Sequence, residues 1–282
     1  MKVLVTGVKG QLGHDVIEEL EKRDHTYVGV DIEEMDITDY ETTREVIGNA
    51  GVQAVIHCAA YTAVDAAEEN VEICRKVNVL GTENIAKVCG ELGLKMVYLS
   101  TDYVFHGQGE APWKPEDPKA PLNVYGQSKY DGELAVQKYT DQYFIVRTAW
   151  VFGLNGNNFI NTMLKLGESR PEVNVVDDQA GSPTYTKDLA VLLVDMVETE
   201  QYGVYHATNE GYVTWYGFAI EIFAQAGLDV KVNPVDSSGF LQKAKRPTNS
   251  RLNKDKLEEN GFQRLPVWQD ALHRYLQETG RI

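Results

Sequence analysis

Tyr125 and Lys129 stand four residues apart in YGQSK, a spacing that puts both side chains on one face of a helix. A phenol is a sluggish acid at neutral pH, with an ordinary pKa of about 10. An ammonium beside it stabilises the phenolate and brings that pKa toward the working range. Protonating a carbonyl oxygen while hydride reaches the carbon needs such an acid, and the same amine can hydrogen-bond a cofactor ribose. Spacing alone carries little weight, because 15 Tyr and 17 Lys in 282 residues give about one Tyr-x-x-x-Lys by chance, and the chain contains one. Position adds force. The pair opens the helix after the fourth strand pattern, and parallel α/β sheets hold ligands at the carboxyl ends of strands. That strand ends in LSTDYVF, which places Thr101 to hydrogen-bond a substrate oxygen beside Tyr125. Singly, each residue has an ordinary reading, Thr101 as a strand-end cap, Lys129 as a solvated lysine, Tyr125 as a core aromatic. Together they read as a reductive triad.

The segment VLVTGVKGQLGHDVIEEL sets Gly7, Gly10 and Gly13 between a strand and a helix. Gly7 permits a tight turn, Gly10 lets backbone approach a pyrophosphate, and Gly13 lets helix and strand pack closely, with the helix N-terminus facing the phosphates. Asp31 ends the second strand 18 residues after Gly13. There a carboxylate accepts hydrogen bonds from the adenosine ribose hydroxyls and repels a 2′-phosphate, which favours NADH; Lys9, inside the loop, is within reach of such a phosphate and leaves NADPH open. Asp31 as a plain strand end is the competing reading. Asp36 and Ile37 follow at a distance suited to flanking an adenine. Asn78, in KVNVLGT, is either a tie in a proton relay with Lys129 or an ordinary polar helix position.

The elements that must position these groups are legible as alternating runs. Strand patterns occupy residues 2–6, 26–31, 53–58, 95–100 and 142–147, apolar on both faces as covered parallel strands are. Helical patterns occupy 12–22, 40–49, 67–92 and 123–139. This order predicts an α/β, Rossmann-type doubly wound parallel sheet over residues 1–149 that binds the dinucleotide. Beyond Ala149 come helices near 159–166, 186–197 and 215–226, a strand at 204–208, the basic segment LQKAKRPTNSRL and a last helix around 267–277. Residues 150–282 are expected to be mainly a smaller substrate-binding lobe, with some elements returning to the first domain.

Composition excludes several classes. Apolar residues are 43% and charged residues 24%, ordinary for a globular chain. The net charge of −15 argues against nucleic acid and anionic membranes as partners, so an anionic substrate needs a local basic patch. No stretch approaches a spanning helix and no leader pattern opens the sequence, so a cytoplasmic protein is expected. Cys58, Cys74 and Cys89 are an odd count without paired spacing and read as small buried hydrophobes; the six histidines lack His-x-x-x-His spacing, so no metal site is expected.

With these residues in place, the chain resembles the extended short-chain dehydrogenase/reductases. Within them, CAAYTAVDAAEE, STDYVFHG, YGQSKYDGE, RTAWVFG, NNF, VDDQAGSPTYTKDLA and KRPTNSRL are similar, in this order from Met1 to about Leu252, to the dTDP-4-dehydrorhamnose reductase family. The resemblance implies reduction of the C4 ketone of dTDP-4-dehydro-L-rhamnose by NADH or NADPH. It implies Tyr125 as proton donor, Lys129 as its pKa-lowering and ribose-binding partner, and Thr101 as third member. Gly10, Gln11 and Leu12 would contact the pyrophosphate; Ala59, Ala60, Tyr61 and Leu99 would line the cofactor. Asp102, Tyr103 and Trp150 would meet the sugar, and Arg246 the substrate's diphosphate. Some family members form magnesium-bridged dimers through glutamates, one of them in the helix after the glycine loop, where this chain has Asp15. Aspartate reaches less far, so a metal-independent enzyme, monomer or homodimer, is the expectation and magnesium the exception. Rival readings are a nucleotide-sugar 4,6-dehydratase or epimerase of the same fold and a non-catalytic regulatory subunit of a synthetase. Dehydratases of this group carry Thr-Asp-Glu where this chain has Thr101-Asp102-Tyr103, so the base that elimination needs is missing here and simple reduction is the better fit.

Overall fold

Short apolar runs that turn side chains to both faces of a sheet require cover on both sides, and that requirement sets the layers. The computed structural model describes residues 1–239 and 242–282; Leu241, the first residue of the basic segment, lies outside the described residues. The first half comprises β1 (Lys2–Thr6), α1 (Gln11–Lys22), β2 (Thr26–Val30), α2 (Tyr40–Ala50), β3 (Ala54–His57), α3 (Val64–Ala67), α4 (Val71–Arg75), a π-helical turn (Lys76–Gly81), α5 (Thr82–Leu92), β4 (Lys95–Thr101), α6 (Val124–Tyr139) and β5 (Tyr143–Thr148). The second half comprises β6 (Val151–Phe152), α7 (Phe159–Ser169), β7 (Glu172–Val176), β8 (Ala180–Gly181), β9 (Thr184–Tyr185), α8 (Thr186–Val197), β10 (Gly203–His206), β11 (Val213–Thr214), α9 (Trp215–Gln225), β12 (Lys231–Val235), α10 (Asp255–Glu259) and α11 (Trp268–Glu278).

Six strands form one sheet in the order β10-β5-β4-β3-β1-β2, all pairings parallel. On one face Val3, Val5, Ile56, Val97 and Phe144 meet Val16 and Leu20 of α1 and Leu189 and Leu193 of α8. On the other, Leu4, Val55, Met96, Tyr98 and Ile145 meet Ile47 of α2, Ile85 and Val88 of α5 and Val136 of α6. The alternation of neighbours along β1 and β4 between the two cores is the period of two that a strand imposes. Chain order reverses between β1 and β3, where a doubly wound sheet opens a crevice at its carboxyl edge. A third core, built on Phe152, Ile160, Leu164, Phe218, Ile222, Leu272 and Tyr275, fills the second half, whose strands pair as β7 with β12, β6 with β9 and β8 with β11. Among the described residues, no helix is long and apolar enough to cross a membrane.

The helix expected over residues 67–92 is not continuous. Asn70 breaks it: its side-chain amide donates to the Ala66 carbonyl at 2.8 Å, and α4 restarts from there. The turn then widens to π geometry around Asn78, a buried polar residue whose amide is engaged outside the helix. The two-residue strands of the second half were not expected, because such short pairings leave no periodicity to read, and neither were the five-residue β7 and β12.

Candidate active site

At the carboxyl ends of β1 to β5 lies a cavity of about 1090 Å³. The glycine loop forms one end. Gly7 has φ +69° and its amide donates to the Val30 carbonyl at 2.9 Å; a Cβ there would fall 2.8 Å from the Ala59 nitrogen, and one on Gly13 would fall 2.3 Å from the Gly7 carbonyl. Only glycine fits either position. Gly10 caps α1 with no side chain over the first-turn N–H groups, which leaves them to an anion. A backbone cradle that closed to any Cβ, at a bare helix N-terminus, suits a dinucleotide pyrophosphate. Gln11, Leu12, Asp31, Asp36, Ile37, Ala59, Ala60 and Leu99 line the same cavity. Tyr61 does not line it; its backbone N–H and C=O are instead clamped by the Asn78 amide at 2.7 and 3.0 Å. Asp31 accepts from the Lys9 amide at 3.2 Å and the Ile32 amide at 2.9 Å.

Thr101, Tyr125 and Lys129 meet at the middle. Thr101 is the last residue of β4, and Asn123 starts α6 by accepting from the Gly126 amide at 2.8 Å. A Cβ on Gly126 would lie 2.3 Å from the Tyr103 carbonyl, so the helix end can settle onto the turn after β4 only with glycine there. This brings Tyr125 and Thr101 to the same cavity and sets the Tyr103 ring edge-on to Tyr125 at 5.7 Å between centroids. Burial pushes the Tyr125 phenol well above its ordinary pKa. Lys129 is buried one turn on; burial brings its pKa down to about 7, and Nζ sits 4.2 Å from the centroid of the Tyr98 ring. The expected lowering of the Tyr125 pKa by Lys129 is therefore not what the geometry gives. The ammonium faces Tyr98, and enclosure is the largest influence on the phenol.

Around this centre, Asp102 is buried, accepts from the Thr101 hydroxyl at 3.1 Å, leaves Oδ2 without a partner, and is pushed up to about 6 by burial. Burial likewise raises Tyr103 to about 12. Arg246 donates to Asp65 at 2.8 Å and to the Tyr103 hydroxyl at 3.2 Å, and its buried Nε is without a partner. Trp150 holds φ +50°, unfavourable for a residue with a Cβ, and stacks on Trp215 with ring centroids 3.7 Å apart. Away from the cavity's chemistry, His14, Asp15 and Glu18 place potential metal-ligand atoms within 4.8 Å of one another, with Lys187 Nζ 3.6 Å from Glu18 and 2.8 Å from Glu278 as a charge partner. Cys74 and Cys89 are buried and Cys58 is half-buried; burial raises the thiols of Cys58 and Cys89 to about 12, as befits unreactive small hydrophobes.

A family model described as the RmlD substrate binding domain matches residues 1–281. The chain belongs to that family. The spore coat polysaccharide biosynthesis protein SpsK of Bacillus subtilis (strain 168) is 38% identical over 277 residues, covering 98% of this chain and 97% of its own. The dTDP-4-dehydrorhamnose reductase of Escherichia coli (strain K12) is 36% identical over 293 residues, covering 99% and 98%. A crystal structure of dTDP-4-dehydrorhamnose reductase from Bacillus anthracis str. Ames in complex with NADP superposes with a TM-score of 0.96 at 41% identity, covering 98% of this chain and 99% of that one.

In this RmlD-family chain, sequence reasoning missed three contributors. Trp215 and Phe159, 4.6 Å apart between centroids, extend the aromatic wall behind Trp150. Their only signal is aromatic residues directly after the helix caps Thr214 and Asn158. Glu133, one turn beyond Lys129, is buried, takes the Ser100 hydroxyl and binds Arg147 with both oxygens at 2.8 and 2.7 Å. It fastens α6 to β4 and β5 beneath Thr101 and Lys129. An acidic helix residue in a strongly acidic chain reads as solvated, which hid it.

Proposed function

We propose that this chain reduces the C4 ketone of dTDP-4-dehydro-L-rhamnose to dTDP-L-rhamnose, using NADH or NADPH. The observation that carries the reading is the convergence of Thr101, Tyr125 and Lys129 on the cavity whose one end is the glycine cradle; the likeness to reductases of that name supports it. When bound, the reduced nicotinamide supplies the hydride that adds to the carbonyl carbon. The Tyr125 phenol, kept protonated by its enclosure, supplies the proton to the oxygen, and Thr101 directs that oxygen toward it. Lys129 binds the cofactor ribose and restores the proton. Asp102 and Trp150 meet the sugar. Lys9, Lys129 and Arg246 are the Lys and Arg residues lining the cavity; with Lys9 in the glycine loop and Lys129 at the reacting centre, Arg246 is left for the substrate diphosphate.

Residues 1–149 serve the dinucleotide and 150–282 mainly the sugar nucleotide, with β10 returning to the main sheet. We place the enzyme in the cytoplasm, as a monomer or homodimer that needs no metal. A dehydratase would need a base where Tyr103 stands with its hydroxyl held near 12. The test is to mix protein, the 4-keto sugar nucleotide and either reduced cofactor and follow the nicotinamide absorbance. Turnover with at least one cofactor is expected; none with either would sink the proposal.

A further inference from the structure

The turn after β2, beside the glycine loop, is strongly negative. Asp31, Glu33 and Glu34 follow β2 directly. The turn is locked on itself, since the Asp31 amide donates to Glu34 at 2.9 Å while the Asp31 carboxylate takes the Ile32 and Lys9 amides. Lys9 is held at both ends of its backbone, because its carbonyl accepts from Asn155 at 3.0 Å. Only its side chain is free to choose a partner, and that partner is Glu33, at 2.7 Å. The pairing raises Lys9 and lowers Glu33, each chiefly through their hydrogen bond. The other cations lining the cavity, Lys129 and Arg246, are the groups assigned above to the cofactor ribose and the substrate diphosphate. Lys76 acts on Asp36 and Asp39 and does not line the cavity.

A phosphate on the adenosine ribose would bring a charge of about −1.5 to −2 into this surrounding. It would face Asp31 with Lys9 already neutralised. We infer that Glu33 is a specificity-determining residue: by holding Lys9 it closes the subsite for a 2′-phosphate, so this chain binds NADH in preference to NADPH. The inference rests on the dinucleotide-site reading above. The Bacillus anthracis relative carries NADP, so a 2′-phosphate is within this family's reach, and selection falls to what Lys9 faces. Both side chains of the pair are exposed, at 61% and 60%, so it is weak and screened, and its effect is a matter of selectivity rather than stability.

Fluorescence titration of the full chain with NADH and with NADPH at low salt tests this without substrate. The expected wild-type preference for NADH is about tenfold, and Glu33→Gln narrows it about three- to tenfold by tightening NADPH, as loss of one unit charge near a screened phosphate implies. In the double variant Lys9→Ala with Glu33→Gln, that gain for NADPH disappears. A wild-type ratio near one or favouring NADPH, an unchanged ratio in Glu33→Gln, or a gain that survives without Lys9 overturns the inference. Binding of neither dinucleotide would overturn the dinucleotide site and this inference together.

Discussion

Tyr125 and Asp102 sit within the same enclosure, and it acts on them to opposite effect. Raising a phenol keeps it a proton donor, which reduction uses; raising a carboxyl leaves a charge that is costly once the group ionises. Tyr125→Phe should lower kcat about 10²- to 10⁴-fold with NADH affinity nearly unchanged, measured by steady-state rates beside fluorescence titration; unchanged turnover would remove Tyr125 from its role. For Asp102 the folded pKa, about 6, lies above its ordinary 3.8. The proton is therefore held more tightly in the folded chain, and the stability this gives is present below about pH 4 and lost as pH rises through 6. Asp102→Asn should thus raise stability by about 2–3 kcal/mol at pH 7.5 and by little near pH 4, read from urea midpoints at both pH values, while activity falls. A difference independent of pH would contradict this account of Asp102. At this scale the meeting of Thr101, Tyr125 and Lys129 in one cavity was legible because one residue type, one spacing and one strand end agree. Glu133 was not, since it works through Arg147, on the next strand, which no local pattern announces.

Strands buried on both faces and helices between them were legible as elements, because β-branched runs and helical spacing are local properties. The failure at residues 67–92 is equally physical. Local pattern favours a continuous helix, whereas Asn70 and Asn78 turn their amides to backbone groups and break its regularity. The π-helical turn lets Asn78 bind both backbone groups of Tyr61 and donate to Ser128 at 2.9 Å, tying the segment after β3 to α6. Asn78→Ala should therefore cost about 2–3 kcal/mol in urea unfolding, since it strands buried polar partners. A loss under about 0.5 kcal/mol, ordinary for a surface position, would return Asn78 to a plain helix residue.

For the molecule as a whole, the doubly wound sheet followed from the order of its elements, and its reversal between β1 and β3 places the crevice over the glycine loop. The second half was less legible, because its strands pair in isolated twos, the five-residue β7 with β12 and the others over two residues, and Trp215 reaches Trp150 across 65 residues of sequence. The glycine loop, Thr101, Tyr125, Lys129, Trp150 and Arg246 line one cavity, and on the proposed reading they serve there as dinucleotide cradle, reacting centre and sugar-nucleotide site. The central claim is that hydride is delivered to C4 of the sugar while Tyr125 protonates its oxygen. Reduced nicotinamide dinucleotide carrying deuterium at the transferring position, incubated with the protein and dTDP-4-dehydro-L-rhamnose, tests it directly by NMR of the product. One deuterium at C4 of the 6-deoxysugar is the predicted result; product with only protium at C4 from either face of the labelled cofactor, or no product at all, would contradict it.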